Sequence, residues 1–211
     1  MKFRNIIFDF DGVLVESNEI RFNGFRKLFK GYPRDQVERL VGYAKANGGV
    51  SRYKKIEYFF DEICQKPISE KSVDEWAGKF SKLVEQDIVE ARPVDGSLEF
   101  LEEYSRLFNF AIISGSDQTE LRRICKKRKI DHFFESILGS PTEKKDNIAT
   151  LLSDLNWNHK ESLYVGDSNT DLEASKVNNL EFIGRCSGLI DWANYDVKSV
   201  SDLSSLYSVL H

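Results

Sequence analysis

The chain alternates short apolar runs with longer amphipathic segments. The apolar runs predict five β-strands, at about residues 3–9, 109–114, 135–139, 162–167 and 180–185. Between the last four runs, apolar residues recur at helical spacing. Strands that alternate with helices are typical of a mostly parallel sheet covered by helices on both faces. The pattern therefore predicts an α/β fold.

The interval from 16 to 91 departs from this alternation because it contains no convincing strand. Glycine and proline pairs divide it into amphipathic segments, which predict four helices at about 17–30, 34–46, 51–65 and 69–90. Pro93 to Gly96 predicts a return hinge, followed by a helix over 97–107. We therefore expect an α/β domain of residues 1–15 and 92–211, and a helical domain of residues 16–91.

Polar clusters follow the apolar runs at the points where strands would end. The clusters are Asp9 with Asp11, Ser114 to Ser116, Lys144 with Lys145, and Gly166 to Asp171. Ligands of open parallel sheets bind just outside the carboxyl ends of the strands. We therefore expect these clusters, although distant in sequence, to meet at one site.

Asp9 and Asp11 lie two residues apart, and their side chains share one face if the extended backbone continues that far. Two like charges aimed into one site are costly unless a cation neutralises them. The combined set of aspartates, serine and lysine suits a divalent cation and a phosphoryl group held together. The alternative for the first pair alone is an exposed acidic turn.

The order of these motifs resembles the haloacid dehalogenase superfamily, in particular its phosphatase branch with a helical cap, which includes phosphoglycolate phosphatase and β-phosphoglucomutase relatives. The matching pieces are DFDGVL at 9–14, IISGS at 112–116, the lysine pair, and GDSNTD at 166–171. The resemblance implies a Rossmann-like parallel sheet core, and it identifies the helices of 16–91 as the inserted cap.

The resemblance also implies catalytic roles. Asp9 would be the nucleophile that forms an aspartyl phosphate, and Asp11 the general acid and base. Mg²⁺ would be the cofactor, held by Asp9, the main-chain carbonyl of Asp11, and Asp167. Asp171 would orient a metal-bound water or the lysine.

Phosphate binding is assigned in the same way. Lys144 would supply the positive charge, while Ser114 and the amides of Gly115 and Gly12 would donate hydrogen bonds. Lys145 is adjacent and could take the place of Lys144 after a shift of one residue; we favour Lys144.

Substrate selection is expected from the cap. Arg52 follows a double glycine and could bind an anionic or polyhydroxylated leaving group, and Asn18 and Arg21 are further candidates. The alternative at Arg52 is a helix start capped by Ser51, with a solvated basic turn. A cap that closes over the site favours small phosphorylated metabolites, of the sugar phosphate or phosphoglycolate class.

Asp11 argues against carbon–halogen cleavage, since dehalogenases of the superfamily lack this second aspartate. A phosphosugar mutase of the β-phosphoglucomutase type would keep the same core residues, and a catalytically silent protein that binds a phosphorylated ligand is the remaining alternative. We predict a phosphatase.

Composition narrows the possible partners of the 211-residue chain. A net charge of -4 and a pI near 5.5 argue against binding of nucleic acid. No apolar run reaches the roughly 20 residues of a membrane span, and no signal-peptide pattern is present. We expect a cytoplasmic monomer or homodimer that acts on a small-molecule phosphate ester, with three reduced cysteines.

Overall fold

A six-stranded parallel sheet forms the centre of the protein, in a computed structural model that describes residues 2–210. Its spatial order is β3-β2-β1-β4-β5-β6, the order of a doubly wound sheet. The strands are β1 (Asn5–Phe8), β2 (Asn109–Asp117), β3 (Phe134–Ser140), β4 (Ser162–Gly166), β5 (Glu181–Arg185) and β6 (Lys198–Val200). The predicted α/β fold and its parallel sheet are confirmed. The prediction missed β6, an edge strand of three residues of which two are exposed.

Two layers of helices cover the sheet, because successive side chains of a strand point to opposite faces. Ile6 and Phe8 of β1 join one hydrophobic cluster, whereas Ile7 between them joins the other. The helices are α1 (Asn18–Leu28), α2 (Arg34–Ala46), α3 (Arg52–Tyr58), α4 (Glu70–Glu90), α5 (Ser97–Tyr104), α6 (Gln118–Lys127), α7 (Lys144–Asp154), α8 (Asn169–Val177) and α9 (Leu206–Val209). Helices α5, α6 and α9 pack on the Phe8 face, and α7 and α8 pack on the Ile7 face. Among residues 2–210, no helix has both the length and the apolar character that crossing a membrane requires.

Helices α1 to α4 occupy the interval after β1 and bury their apolar faces against one another. The helix predicted over 51–65 is instead α3 followed by a π-helical turn at Phe59–Ile63. This turn places the consecutive rings of Phe59 and Phe60 together in the interior, where both contact Phe29. A π turn changes which residues share a helix face, and the 3.6-residue period could not anticipate it.

The inserted helices leave the sheet domain and return to it at one place. Val15 forms an isolated antiparallel bridge with Pro93. On either side of it, the Glu16 amide donates to the Arg92 carbonyl and the Val94 amide donates to the Leu14 carbonyl, both at 3.0 Å. The two connecting segments therefore run side by side. The domain limits given above, 1–15 with 92–211 and 16–91, stay a prediction.

Phe29 is the centre of the aromatic cluster of the inserted helices. It is fully buried, with its ring centroid 4.1 Å from that of Phe59 and 5.0 Å from that of Trp76. We expect Phe29→Ala to lower the free energy of unfolding by about 3–5 kcal/mol, because it removes a large ring and leaves a cavity. Urea unfolding followed by tryptophan fluorescence measures this loss.

The control is Leu107→Ala, whose side chain is half exposed and whose loss should change stability by less than about 0.5 kcal/mol. Equal effects of the two substitutions would contradict the packing described here.

Candidate active site

The carboxyl ends of the central strands border a small cavity between the sheet and the inserted helices. The strand order reverses at β1, which lies between β2 and β4, and this is where doubly wound sheets bind their ligands. The cavity measures about 60 Å³. Its walls are formed by Asp9, Asp11, Asn18, Arg21, Phe22, Phe25, Gly48, Gly49, Val50, Arg52, Lys55, Phe80, Ser114, Gly115, Ser116, Asp167 and Leu189.

Lys144 joins two aspartates that are distant in sequence: Asp9, which follows β1, and Asp171, in the first turn of α8. Its Nζ lies 2.7 Å from Asp9 Oδ2 and 2.5 Å from Asp171 Oδ1, and the side chain is buried. The adjacent Lys145 is half exposed and pairs with Glu143 at 3.0 Å. The structure therefore brings Lys144, and not Lys145, to the predicted nucleophile. Although burial opposes it, the charges of Asp171 and Asp9 raise the pKa of Lys144, which stays protonated.

Asp171 has each of its carboxylate oxygens occupied by two donors. Oδ1 accepts hydrogen bonds from Lys144 and from the Tyr164 hydroxyl at 2.6 Å. Oδ2 accepts from the Ser168 amide at 3.0 Å and from its hydroxyl at 2.5 Å, which closes a capping box at the start of α8. With these four bonds, Asp171 is placed to orient Lys144 rather than to bind a ligand.

Asp9, Asp167 and Asp171 form a buried acidic group in which one oxygen of each lies within 4.8 Å of the others. Burial raises the pKa of Asp9 to about 8, against the charge of Lys144 and with added repulsion from Asp171 and Asp167. Burial and the charge of Asp171 raise the pKa of Asp167 to about 6. Each Asp9 oxygen accepts one bond, from Lys144 or from the Phe10 amide, and so keeps a free lone pair. Hard oxygen donors with excess negative charge fit Mg²⁺.

Asp11 reaches the same cavity by a different route from the one predicted. Strand β1 ends at Phe8, so the extended backbone that was expected to align Asp9 with Asp11 does not continue to residue 11. The Asp11 carboxylate accepts hydrogen bonds from the Ser17 hydroxyl at 2.5 Å and the Ser116 hydroxyl at 2.6 Å, and from Arg21 Nε at 3.0 Å. Burial would raise its pKa, but Arg21 and the two serines hold it below its usual value.

Gly12 differs from its predicted role in phosphate binding. Its amide donates to the Val15 carbonyl at 2.8 Å and closes a turn, so it is not free for a phosphate. The residue has φ +76°, and a Cβ there would lie 2.1 Å from Asp167 Oδ2. The glycine is therefore needed for the turn and for the close approach of Asp167.

Ser114 lies inside a strand, although the sequence pattern placed it at a strand end. Strand β2 continues to Asp117, with a shift in its pairing to β3 after Ile113. The Ser114 hydroxyl is buried at the cavity wall and accepts a hydrogen bond from the Ser116 amide at 3.2 Å. Its proton is left for another acceptor.

The loop after α2 contacts the residues around the cavity through main-chain atoms. A Cβ at Gly115 would lie 2.1 Å from the Gly49 carbonyl oxygen, and the Gly48 carbonyl accepts a hydrogen bond from the Thr170 hydroxyl at 3.1 Å. The loop of Gly48 and Gly49 therefore lies directly on the residues that border the cavity. Asn18 also crosses from α1 and donates to Asp167 Oδ2 at 2.8 Å.

Arg21 and Arg52 are buried and share one carboxylate, that of Glu120 on α6. Arg21 Nη1 lies 2.5 Å from Glu120 Oε1, and Arg52 approaches Oε2 and Oε1 at 2.5 Å and 2.8 Å. The solvated basic turn offered as an alternative at Arg52 is wrong, since this side chain is 4% exposed; the Ser51 cap of α3 is present. Burial would raise the pKa of Glu120, but the two arginines hold it well below its usual range.

Glu120 and Ser17 were not predicted as site residues, and Ser116 was predicted only as part of the cluster Ser114 to Ser116. A glutamate in a strongly amphipathic helix is typical of a solvent-facing position, and nothing in the sequence places it opposite two arginines more than sixty residues earlier. Ser116, two residues after Ser114 at a predicted strand end, was the one signal available.

Comparisons with known proteins bear on the family and the fold of the chain. A family model described as "Haloacid dehalogenase-like hydrolase" matches residues 6–185. The pyrophosphatase PpaX of Listeria monocytogenes serotype 4b is 23% identical over 181 residues, covering 83% of this chain and 79% of that protein.

Two solved structures share the fold. One is a predicted phosphoglycolate phosphatase from Haemophilus somnus 129PT, with a TM-score of 0.81, 18% identity, and coverage of 100% of this chain and 99% of that one. The other is CbbY from Rhodobacter sphaeroides in complex with phosphate, with a TM-score of 0.76, 18% identity, and coverage of 97% and 96%.

We expect Mg²⁺ to bind more tightly as the pH rises from 6 to 8. The raised pKa of Asp9, about 8, keeps a proton on the acidic group below that pH, and a carboxylate must lose its proton to bind a metal. The apparent Kd should therefore fall by up to about tenfold per pH unit, with release of a proton. Isothermal titration calorimetry in buffers of different ionisation enthalpy measures both quantities. An affinity that is independent of pH over this range, without proton release, would contradict the assignment.

Proposed function

The chain belongs to the haloacid dehalogenase-like hydrolases, and we propose from this that it is a magnesium-dependent phosphatase of small phosphorylated metabolites, acting through an aspartyl phosphate. One observation carries the proposal. The Asp9 carboxylate borders the cavity, with Asp167 within ligand distance of it and Lys144 bonded to it at 2.7 Å. This combines a nucleophile, a cation site and a fixed positive charge.

The first step is attack of an Asp9 oxygen on phosphorus. The new bond between Asp9 and phosphorus forms as the bond from phosphorus to the leaving oxygen breaks, which gives the aspartyl phosphate and the leaving alcohol. Lys144 balances the charge of the phosphoryl oxygens, and the Ser114 hydroxyl, whose proton is free, donates to one of them.

Asp11 carries the proton in both steps. Because its pKa is held below the usual value, Asp11 starts as a carboxylate. In the first step it passes the proton of a phosphate monoanion to the leaving oxygen. In the second step it takes a proton from the water that attacks phosphorus and returns this proton to the inorganic phosphate released from Asp9. Ser17, Ser116 and Arg21 fix the orientation of its carboxylate. The cycle ends with both aspartates in their starting states.

Asp9, Asp167 and the main-chain carbonyl of Asp11 would hold the magnesium ion. The ion would supply positive charge to the phosphoryl group. It would also stabilise the charged forms of Asp9 and Asp167, which burial disfavours. Asp171, with its four hydrogen bonds, would position Lys144.

The cavity favours a compact substrate. Its volume of about 60 Å³ favours a small molecule over a macromolecule. PpaX is named as a pyrophosphatase, and one structural neighbour is described as a predicted phosphoglycolate phosphatase. We therefore propose a substrate of the sugar phosphate, phosphoglycolate or pyrophosphate size.

We expect Asp9→Asn to reduce magnesium-dependent phosphate release by about 10³-fold or more, because the amide cannot form the aspartyl phosphate. The assays are p-nitrophenyl phosphate hydrolysis and a panel of phosphorylated metabolites. Asp154→Asn, an exposed position at the end of α7, is the matched control and should keep full activity.

A variant Asp9→Asn as active as the unsubstituted protein would overturn the proposal. Isomerisation of a sugar phosphate without release of free phosphate would instead identify the mutase alternative.

Lys144 and Lys145 give a second test. We expect Lys144→Ala to lower kcat/KM by about 10²–10³-fold, since it removes a preorganised charge from the phosphoryl site. Lys145→Ala should change kcat/KM by less than about twofold, because this side chain pairs with Glu143 at the surface. Circular dichroism controls for folding, and a larger effect at Lys145 would reverse the assignment.

A further inference from the structure

Three cationic side chains of the inserted helices line the cavity together with the aspartates. Arg21 comes from α1, and Arg52 and Lys55 come from α3, and all three are at least nine-tenths buried. Lys55 lies three residues after Arg52, so both side chains project from the same face of α3. We call this group the cationic roof.

Arg52 is fully engaged within the protein. Its guanidinium bonds both oxygens of Glu120, approaches the Ser81 hydroxyl at 2.6 Å, and lies 4.9 Å from the centre of the Phe80 ring. Arg52 therefore fixes the geometry of the cationic roof and has little capacity left for a substrate.

Two donors of the cationic roof have no partner. Arg21 Nη2 is buried without a hydrogen bond. Within residues 2–210, Lys55 Nζ has neither a hydrogen bond nor an ion pair, although the side chain is only 7% exposed. Burial and the neighbouring charges of Lys144, Arg21 and Arg52 lower the pKa of Lys55 to about 7, and an anion bound beside it would favour its charged form.

A buried cation without a partner is costly, and the cost is removed when an anion binds beside it. Phe22, Phe25 and Phe80 line the same cavity, and these apolar walls offer no polar group that could replace such an anion. The small volume places any group at Lys55 close to a phosphoryl group at Asp9.

We infer that Lys55, with Arg21 Nη2, binds a second anionic group on the leaving part of the substrate. The substrate is then a compact phosphate ester or anhydride whose leaving group carries a carboxylate or a second phosphoryl group. This inference rests on the proposed function, and it makes Lys55 the residue that selects an anionic leaving group.

The test compares matched substrates on the magnesium-loaded protein. Phosphoglycolate and pyrophosphate carry a second anion, whereas 2-hydroxyethyl phosphate has the size of phosphoglycolate without it. We expect Lys55→Met to lower kcat/KM for the two anionic substrates by about 10- to 100-fold, the value of one charge-assisted hydrogen bond, and to leave 2-hydroxyethyl phosphate within about threefold. A larger loss with phosphoglycolate identifies the second anion as a carboxylate, and a larger loss with pyrophosphate identifies it as a phosphoryl group.

Two further variants control the result. Lys54→Met removes the exposed neighbouring lysine, which pairs with Glu143, and should change neither class of substrate. Lys55→Arg keeps the charge and should restore at least part of the preference. Equal losses on anionic and neutral substrates, or no loss at all in Lys55→Met, would overturn the inference.

Binding of methylenediphosphonate, a pyrophosphate analogue that is not hydrolysed, separates this inference from the proposed function. If the protein hydrolyses none of the substrates but binds the analogue more weakly by about tenfold or more in Lys55→Met, the anion site stands and the phosphatase proposal fails. If the protein hydrolyses all of the substrates and Lys55→Met has no effect, the phosphatase proposal stands and the anion site fails.

Discussion

The site depends on one buried ammonium group that keeps two acidic residues together, although they are distant in sequence. Asp9 follows β1 and Asp171 begins α8 after β4, and without Lys144 their charges would repel each other in a region closed to water. A buried ion pair stabilises only when its remaining donors and acceptors are satisfied. Tyr164 and Ser168 meet this condition for Asp171.

A second buried network connects the inserted helices to the sheet domain. Arg21 contacts both Asp11 and Glu120, so a residue of α1 links the proposed acid and base to α6. On either side, the Tyr53 hydroxyl donates to Asp117 at 2.8 Å and Arg123 pairs with Glu85 at 2.9 Å. The inserted helices are therefore held to the residues of the candidate active site by charged contacts as well as by packing.

The sequence predicted the sheet and the four inserted helices because their apolar patterns are long and regular. It did not predict β6, whose three residues carry too short a pattern, or the π turn after Tyr58, which breaks the helical period. Both were missed for the same reason, because a hydrophobic period can be recognised only over a longer run of residues than these elements contain.

Site residues divide in a similar way. Asp9, Asp167 and Lys144 meet because strand ends meet, which topology alone predicts. The partners of Arg52 depend on tertiary placement of a surface-type residue, Glu120, and no local pattern reports it.

The contact between Gly115 and the Gly49 carbonyl has a consequence for how this protein tolerates variation. Two segments of main chain are in contact here with no side chain between them, so there is no room for a larger residue. A single methyl group at this position would therefore push the two segments of main chain apart. Much larger substitutions on the outer faces of the helices would meet only solvent.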